Sequence, residues 1–142
     1  FKGLSHRQEI LRKINKTTFI NDSKATNIDS SIPALKAFKN IHWICGGIPK
    51  SRDMKLALPY LKNVKKIYVI GLEKEIFFTA FERYIDIDYL RDMKDAVQSA
   101  FLNSKNEKKI ATVLLSPAAA SFDQYKNFET RGNTFKKYIA NL

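Results

Sequence analysis

Three short runs constrain the fold most. Ile41–Cys45, residues 67–70 and residues 113–115 read as apolar throughout, and stretches of helical period separate them. Strands that are apolar on both sides must be covered on both sides, which is the mark of parallel strands held between helices. Parallel strands need crossovers, and the right-handed β-α-β unit supplies them.

The remaining segments fit this frame. Residues 9–15 and Thr17–Asn21 flank a tight Asn15-Lys16 turn, a hairpin pattern. Residues 28–38 predict a helix with Asn27 or Asp29 as N-cap and Pro33 near its first turn, where a missing N–H costs least. A helix over 53–61 is expected to be shortened or kinked by Pro59. After a strand over 66–70, residues 73–84 place Ile76, Phe77, Ala80 and Phe81 on one side of a helix. Residues 84–90 hold a short edge strand, and 92–102 a helix with Met93, Ala96, Val97 and Ala100 at 3.6-residue spacing. A strand over 110–115, a long loop over 116–128 and a helix over 129–142 complete the chain. The expectation is an α/β, Rossmann-like, open and mostly parallel sheet with helices on both faces. One antiparallel strand comes from the N-terminal hairpin, at an edge. With no internal repeat, low-complexity tract or linker, residues 1–142 read as one domain.

Twenty-five Lys and Arg against fourteen Asp and Glu give a net charge of +11. That balance admits a basic, non-catalytic nucleic-acid-binding module. Against it, the lysines are dispersed from Lys2 to Lys137 with no block of like charge, and Phe19, Phe77, Phe81 and Phe101 fall at core-facing positions rather than among them. Most of the charge therefore reads as a solvated, lysine-biased surface, with no nucleic-acid partner. No apolar run reaches the roughly 20 residues needed to cross a bilayer, and no charged-then-apolar leader opens the chain, so no membrane partner is expected. The single Cys45 suits a reducing cytoplasm. The start at Phe1 is read as excision from a longer polypeptide.

In a parallel α/β sheet, ligands bind beyond the carboxyl ends of the strands. Residues 22–27, 46–51 and 116–128 each follow a strand end, so these polar, Gly- or Ala-rich loops should emerge on one rim. Lys24 opposes the dipole of the helix that follows it, a conflict that a bound anion would remove. Gly46-Gly47-Ile48-Pro49-Lys50-Ser51 resembles a P-loop but fails as one. Pro49 has no N–H where the motif needs Gly, and the spacing is one residue short. What remains is a cation, Lys50, delivered by a rigid Gly-Gly turn. Ser121 offers a hydroxyl and Phe128 a wall. The two histidines, His6 and His42, form no metal-binding spacing and no triad, and His42 reads as structural.

Taken together, four stretches resemble the C-terminal domain of the Mur ligases of peptidoglycan synthesis, in the branch that adds D-glutamate. They are Phe1-Lys2-Gly3-Leu4-Ser5-His6-Arg7, Phe19-Ile20-Asn21-Asp22-Ser23-Lys24-Ala25-Thr26-Asn27, Gly46-Gly47 through Lys50-Ser51, and the run from Leu114-Leu115-Ser116-Pro117 to Glu129-Thr130-Arg131-Gly132. The resemblance implies a three-domain, ATP- and Mg2+-dependent ligase whose N-terminal UDP-binding and central ATPase domains lie outside this chain, so this fragment alone should be inactive. It implies phosphorylation of the carboxylate of UDP-N-acetylmuramoyl-L-alanine, followed by attack of the D-glutamate amine. Carried over by position, Lys24 lies near the transferring phosphoryl group. Thr26, Lys50 and Ser121 hold the D-glutamate carboxylates, with the Phe122 backbone and the Phe128 ring completing the pocket. Arg7 and Asp22 touch the nucleotide, Asp22 through ribose hydroxyls, and His6 is a weaker adenosine-side candidate. Three departures stand out: Ile48-Pro49 replaces a more polar pair, Ala119 a common Cys, and Phe122 an aliphatic residue. A Mur-type ligase for another amino acid is the nearest alternative.

Overall fold

The computed structural model describes residues 4–50 and 53–142. Residues 1–3 of the first matched stretch, and Ser51 of the third, lie outside the described residues. Six strands form one sheet: β1 (Glu9–Ile14), β2 (Thr17–Asn21), β3 (Ile41–Cys45), β4 (Val64–Val69), β5 (Ile87–Tyr89) and β6 (Ala111–Leu115). Their spatial order is β1-β2-β6-β3-β4-β5. Every neighbouring pair is parallel except β1–β2, the N-terminal hairpin, which puts the antiparallel strand at an edge as expected.

The helices are α1 (Ile28–Ala37), α2 (Lys74–Phe81), α3 (Met93–Asn106) and α4 (Phe128–Ala140). Between β3 and β4, Met54–Asn63 forms a 3-10 helix instead of the α-helix expected over 53–61, with Pro59 inside it. Pro59 lacks the N–H that an α-helical bond needs, so the tighter winding carries the segment. Asn27 is the α1 cap: its side chain accepts from the Ser30 N–H at 2.9 Å, while Asp29 sits in the first turn. Asp92 caps α3 and Asn127 caps α4 in the same way.

Two apolar layers cover the sheet. On one face α1, the 3-10 helix and α2 bury Leu35, Trp43, Ile67, Phe77 and Phe81. On the other, α3 and α4 bury Phe19, Ile44, Val97, Val113 and Phe135. β3 and β6 are buried along their whole length, which is why their sequences lack alternation. His42, inside β3, lies within hydrogen-bonding distance of Tyr68 Oη on one ring nitrogen and Glu107 on the other, so it is a structural residue as the sequence suggested.

Candidate functional site

The parallel strands β2, β6 and β3 end on the same rim, and their pairing continues into the loops. The Asp22 N–H donates to the Leu115 carbonyl at 2.7 Å, the Ser116 N–H to Ile44 at 3.1 Å, and the Gly46 N–H to Pro117 at 3.0 Å. Further out, Ile48 and Ala120 exchange two backbone hydrogen bonds, each 2.9 Å. This crossing needs glycine. A Cβ on Gly47, whose φ is +136°, would lie 2.2 Å from the Ala120 carbonyl oxygen, and one on Gly46 would lie 1.8 Å from that of Ile70.

Side chains then weld the loops together. Ser116 Oγ donates to Asp22 Oδ2 at 2.7 Å and lies 2.8 Å from Ser31 Oγ, while the Trp43 indole donates to the Ser116 carbonyl at 2.7 Å. From α4 the buried Arg131 guanidinium donates to Ser23 Oγ (3.0 Å), to the Ser23 carbonyl (2.8 Å) and to the Ala119 carbonyl (2.9 Å). Ser23 Oγ in turn donates to the Phe128 carbonyl at 2.7 Å. Burial lowers the guanidinium pKa to about 10, with the Asp123 carboxylate opposing the shift. It therefore stays charged at neutral pH. A single side chain thus ties the residue before Lys24 to the loop that carries Ser121.

A cleft of about 450 Å³ opens between the chain entering β1 and the start of α1. Arg7, Asp22, Lys24 and Thr26 line it, with Gln8, Ala25, Ser30 and Pro33. Four of the sequence-predicted residues are therefore brought together here. Lys24 is exposed, and its Nζ stands 6.0 Å from the centroid of the Phe128 ring, which links the cleft to the fourth motif. Lys50, Ser121 and Phe122 lie on the two loops joined at Ile48–Ala120, outside this lining; Lys50 and the Phe122 ring are exposed, whereas Ser121 is buried. His6 is not among the cleft's lining residues. Its Nδ1 lies 2.9 Å from Asn21 Nδ2, and its ring meets Phe128 edge-on at 6.0 Å. His6 thus braces the arm that bears Arg7.

Asp22 lines the cleft, but both of its oxygens are committed within the protein, Oδ1 to the Gln8 N–H at 3.1 Å and Oδ2 to Ser116. Desolvation raises its pKa to about 6, against the pull of the Ser116 hydroxyl, the Gln8 N–H and the Arg7 charge. A folded-state pKa above the unfolded 3.8 means that the folded protein binds more protons across that interval. Stability from this group is fully present below about pH 4 and falls as pH rises through about 6, by about 3 kcal/mol at most. Denaturant melts of the chain and of Asp22→Asn should therefore differ in their pH slope over that window, with the variant flatter. Parallel profiles would remove Asp22 as the source.

Sequence reasoning assigned no role to Arg131. The signal was present: Arg131, Phe135 and Ile139 recur at four-residue spacing on the buried stripe of α4, where a charge demands partners. Among the described residues, no group of three or more His, Cys, Asp or Glu could hold a metal ion. Of the described residues, Asp22 is the one carboxylate that lines the cleft, and each of its oxygens already accepts a hydrogen bond within the protein. The Mg2+ that the resemblance implies would therefore draw its ligands from outside this lining.

An open α/β sheet that gathers Arg7, Lys24 and Thr26 in one cleft beyond its strand ends has the architecture of a domain that takes a ligand on that rim. A family profile described as "Mur ligase, glutamate ligase domain" matches residues 6–119, and the chain belongs to that family. It is 42% identical over its whole length to a UDP-N-acetylmuramoylalanine–D-glutamate ligase of Wolbachia pipientis, covering 28% of that protein. Proteins of the same name from Rhizobium etli and Rickettsia conorii are each 38% identical and are covered to 30% and 29%. The chain thus spans less than a third of these relatives' length. Among solved structures, UDP-N-acetylmuramate-alanine ligase of Thermotoga maritima shares the fold, with a TM-score of 0.65 at 12% identity. The alignment covers all of this chain and 32% of that one.

Proposed function

We propose that this chain is the C-terminal part of a cytoplasmic, ATP-dependent ligase that joins D-glutamate to UDP-N-acetylmuramoyl-L-alanine during peptidoglycan precursor synthesis. One observation carries the reading: Lys24 and Lys50 leave the carboxyl ends of β2 and β3, two strands separated only by β6, on loops that hydrogen bonds join through the loop after β6. That arrangement is half of an anion site. The names of the relatives supply the substrates, and their extra length supplies the polypeptide for the other half.

In the reaction, a carboxylate oxygen of the UDP-linked substrate attacks the γ-phosphorus of ATP and ADP leaves. The D-glutamate amine then attacks the acyl carbon and phosphate departs. Lys24 presents a fixed cation to the charge that develops on the transferring phosphoryl oxygens. Arg7 and Asp22, in the same cleft, contact the nucleotide, Asp22 through ribose hydroxyls while its Oδ1 also accepts the N–H of Gln8 on the arm that carries Arg7, and His6 lies on the adenosine side. Lys50, Thr26 and Ser121 receive the two carboxylates of D-glutamate, with the Phe122 backbone and Phe128 ring closing the pocket. ATP and Mg2+ are held chiefly by an upstream ATPase domain, and the UDP-sugar by an N-terminal one.

The test is a chimera in which this chain replaces the matching C-terminal segment of the Wolbachia relative. It should release phosphate from ATP only with both D-glutamate and the UDP-linked substrate. Preference for another amino acid would sink the assignment. In that chimera Lys50→Ala should raise KM for D-glutamate by roughly ten- to a hundredfold with kcat little changed, the loss of one charge-assisted bond made in ground and transition states alike. A fall in kcat at constant KM would contradict the role. The isolated chain should bind ATP and D-glutamate weakly or not at all in calorimetry, and sub-micromolar ATP binding would show that the upstream contacts are dispensable.

A further inference from the structure

The lysines are dispersed in sequence but not in space. Four of the five connections into the amino end of a parallel strand carry some: Lys16 before β2, Lys39 before β3, Lys62 and Lys65 around the start of β4, and Lys108 and Lys109 before β6, whereas the connection into β5 carries Arg83. All six are exposed and stand on the rim opposite the candidate site. Acidic groups there do little to offset them. Asp86 pairs with Lys66, Glu107 lies against His42 with the Lys109 ammonium 3.9 Å away, and Glu82 is exposed beside Arg83, so the six lysines outnumber the three acids two to one. On the other rim Asp22, Asp29, Asp92, Asp95 and Glu129 sit among the cations and dilute them. The net charge of +11 is therefore polarised along the strand axis.

We infer that this basic rim docks on an anionic lipid surface, which leaves the opposite rim free to close over its ligands. Three features select that occupant. The lysines come from four separate connections and are spread over the end of the domain, as a planar array of phosphates requires, instead of following one groove as a nucleic-acid strand would. The six are all lysine, which serves as a point charge toward lipid phosphates, whereas base stacking needs aromatics or arginine planes. The exposed Arg83-Tyr84 pair on this rim stands apart from them on the connection into the edge strand β5. Ile110, 74% exposed, and Leu102, 56% exposed, protrude beside Lys109 and Lys105 and provide aliphatic groups for insertion. The densest part is a hollow of about 320 Å³ lined by Lys16, Lys105, Lys108 and Lys109. Peripheral docking of this kind needs no spanning segment, and among the described residues no helix is long and apolar enough to cross a membrane.

Flotation of the 142-residue chain with vesicles tests this. Phosphatidylcholine vesicles containing phosphatidylglycerol should carry the chain upward at low salt, pure phosphatidylcholine vesicles should not, and added salt should release it. Lys105→Glu with Lys109→Glu should weaken partitioning by at least twentyfold, since each lysine contributes roughly fivefold. Lys62→Glu with Lys65→Glu, on a different connection, should do the same, so a folding defect in one pair leaves the other as a test. Lys94→Glu with Lys126→Glu changes net charge equally on the far rim and should have little effect. Equal losses from the near and far pairs would reduce the effect to net charge and overturn the inference. So would absence of binding to the anionic vesicles, or tighter binding to a single-stranded oligonucleotide at the same salt.

Discussion

Lys24→Ala in the chimeric ligase is expected to lower kcat by about two to three orders of magnitude, the range for removing one fixed electrostatic partner of transition-state charge. The expectation comes from placement. Lys24 is exposed in the cleft shared with Arg7 and Thr26, its backbone N–H is held by the His6 carbonyl at 2.9 Å, and its ammonium lies 6.0 Å from the Phe128 ring centroid. Its backbone is therefore fixed while its charge faces the opening. A cation preset in this way need not reorganise as negative charge builds on the phosphoryl oxygens. KM for D-glutamate should change little, because the proposed function gives that contact to Lys50 and not to Lys24. Lys24→Arg, which keeps the charge but changes its shape, should recover part of the rate. Steady-state kinetics with D-glutamate and ATP varied separately decides the matter. A raised KM for D-glutamate with kcat intact would exchange the roles of the two lysines.

What could be read from the sequence follows a physical division. Ile41–Cys45 and the end of β6 announced buried parallel strands because two-sided burial removes the alternation that other strands show. The meeting of three loops on one rim followed from parallelism alone. Boundaries were less legible where polar groups are buried. α3 runs to Asn106, past the expected end at Leu102, because Ser104 continues its buried face by bonding to Thr17 Oγ1 at 3.0 Å, and a serine gives no hydrophobic signal. β4 begins at Val64 instead of Lys66, and Lys66 is tolerated because Asp86 and Asp88 lie 3.4 and 2.8 Å from its ammonium. The bonds that tie the loops together, Ser116 to Asp22 and Arg131 to Ser23, join residues nearly a hundred positions apart or more, and no local pattern encodes them. The opposite rim was hidden for the same reason. Lysines that look scattered along the chain become neighbours only once the strands are laid parallel.

Arg131→Ala is expected to cost about 3–5 kcal/mol of stability, enough to lower the melting temperature by roughly 10–15 °C. Three hydrogen bonds from a charged donor are lost, and two carbonyls, those of Ser23 and Ala119, are left without them in a buried setting. The truncation also leaves a void beside Phe135, on the stripe that packs α4 against the sheet. Arg131→Lys keeps the charge but cannot span Ser23 and Ala119 with a planar fork, so it should recover less than half of the loss. The damage should not be uniform. Because Arg131 ties residues 23 and 119 to α4, amide exchange should rise first across residues 22–27 and 116–127, while β3 and β6 stay protected until global unfolding. Scanning calorimetry together with hydrogen exchange of both variants tests this. If Arg131→Ala melted within a degree or two of the parent with unchanged exchange in the two loops, water would be satisfying those carbonyls. The rigidity of the rim would then come from the backbone pairing of Ile48 with Ala120 and of Gly46 with Pro117, with no contribution from the α4 guanidinium.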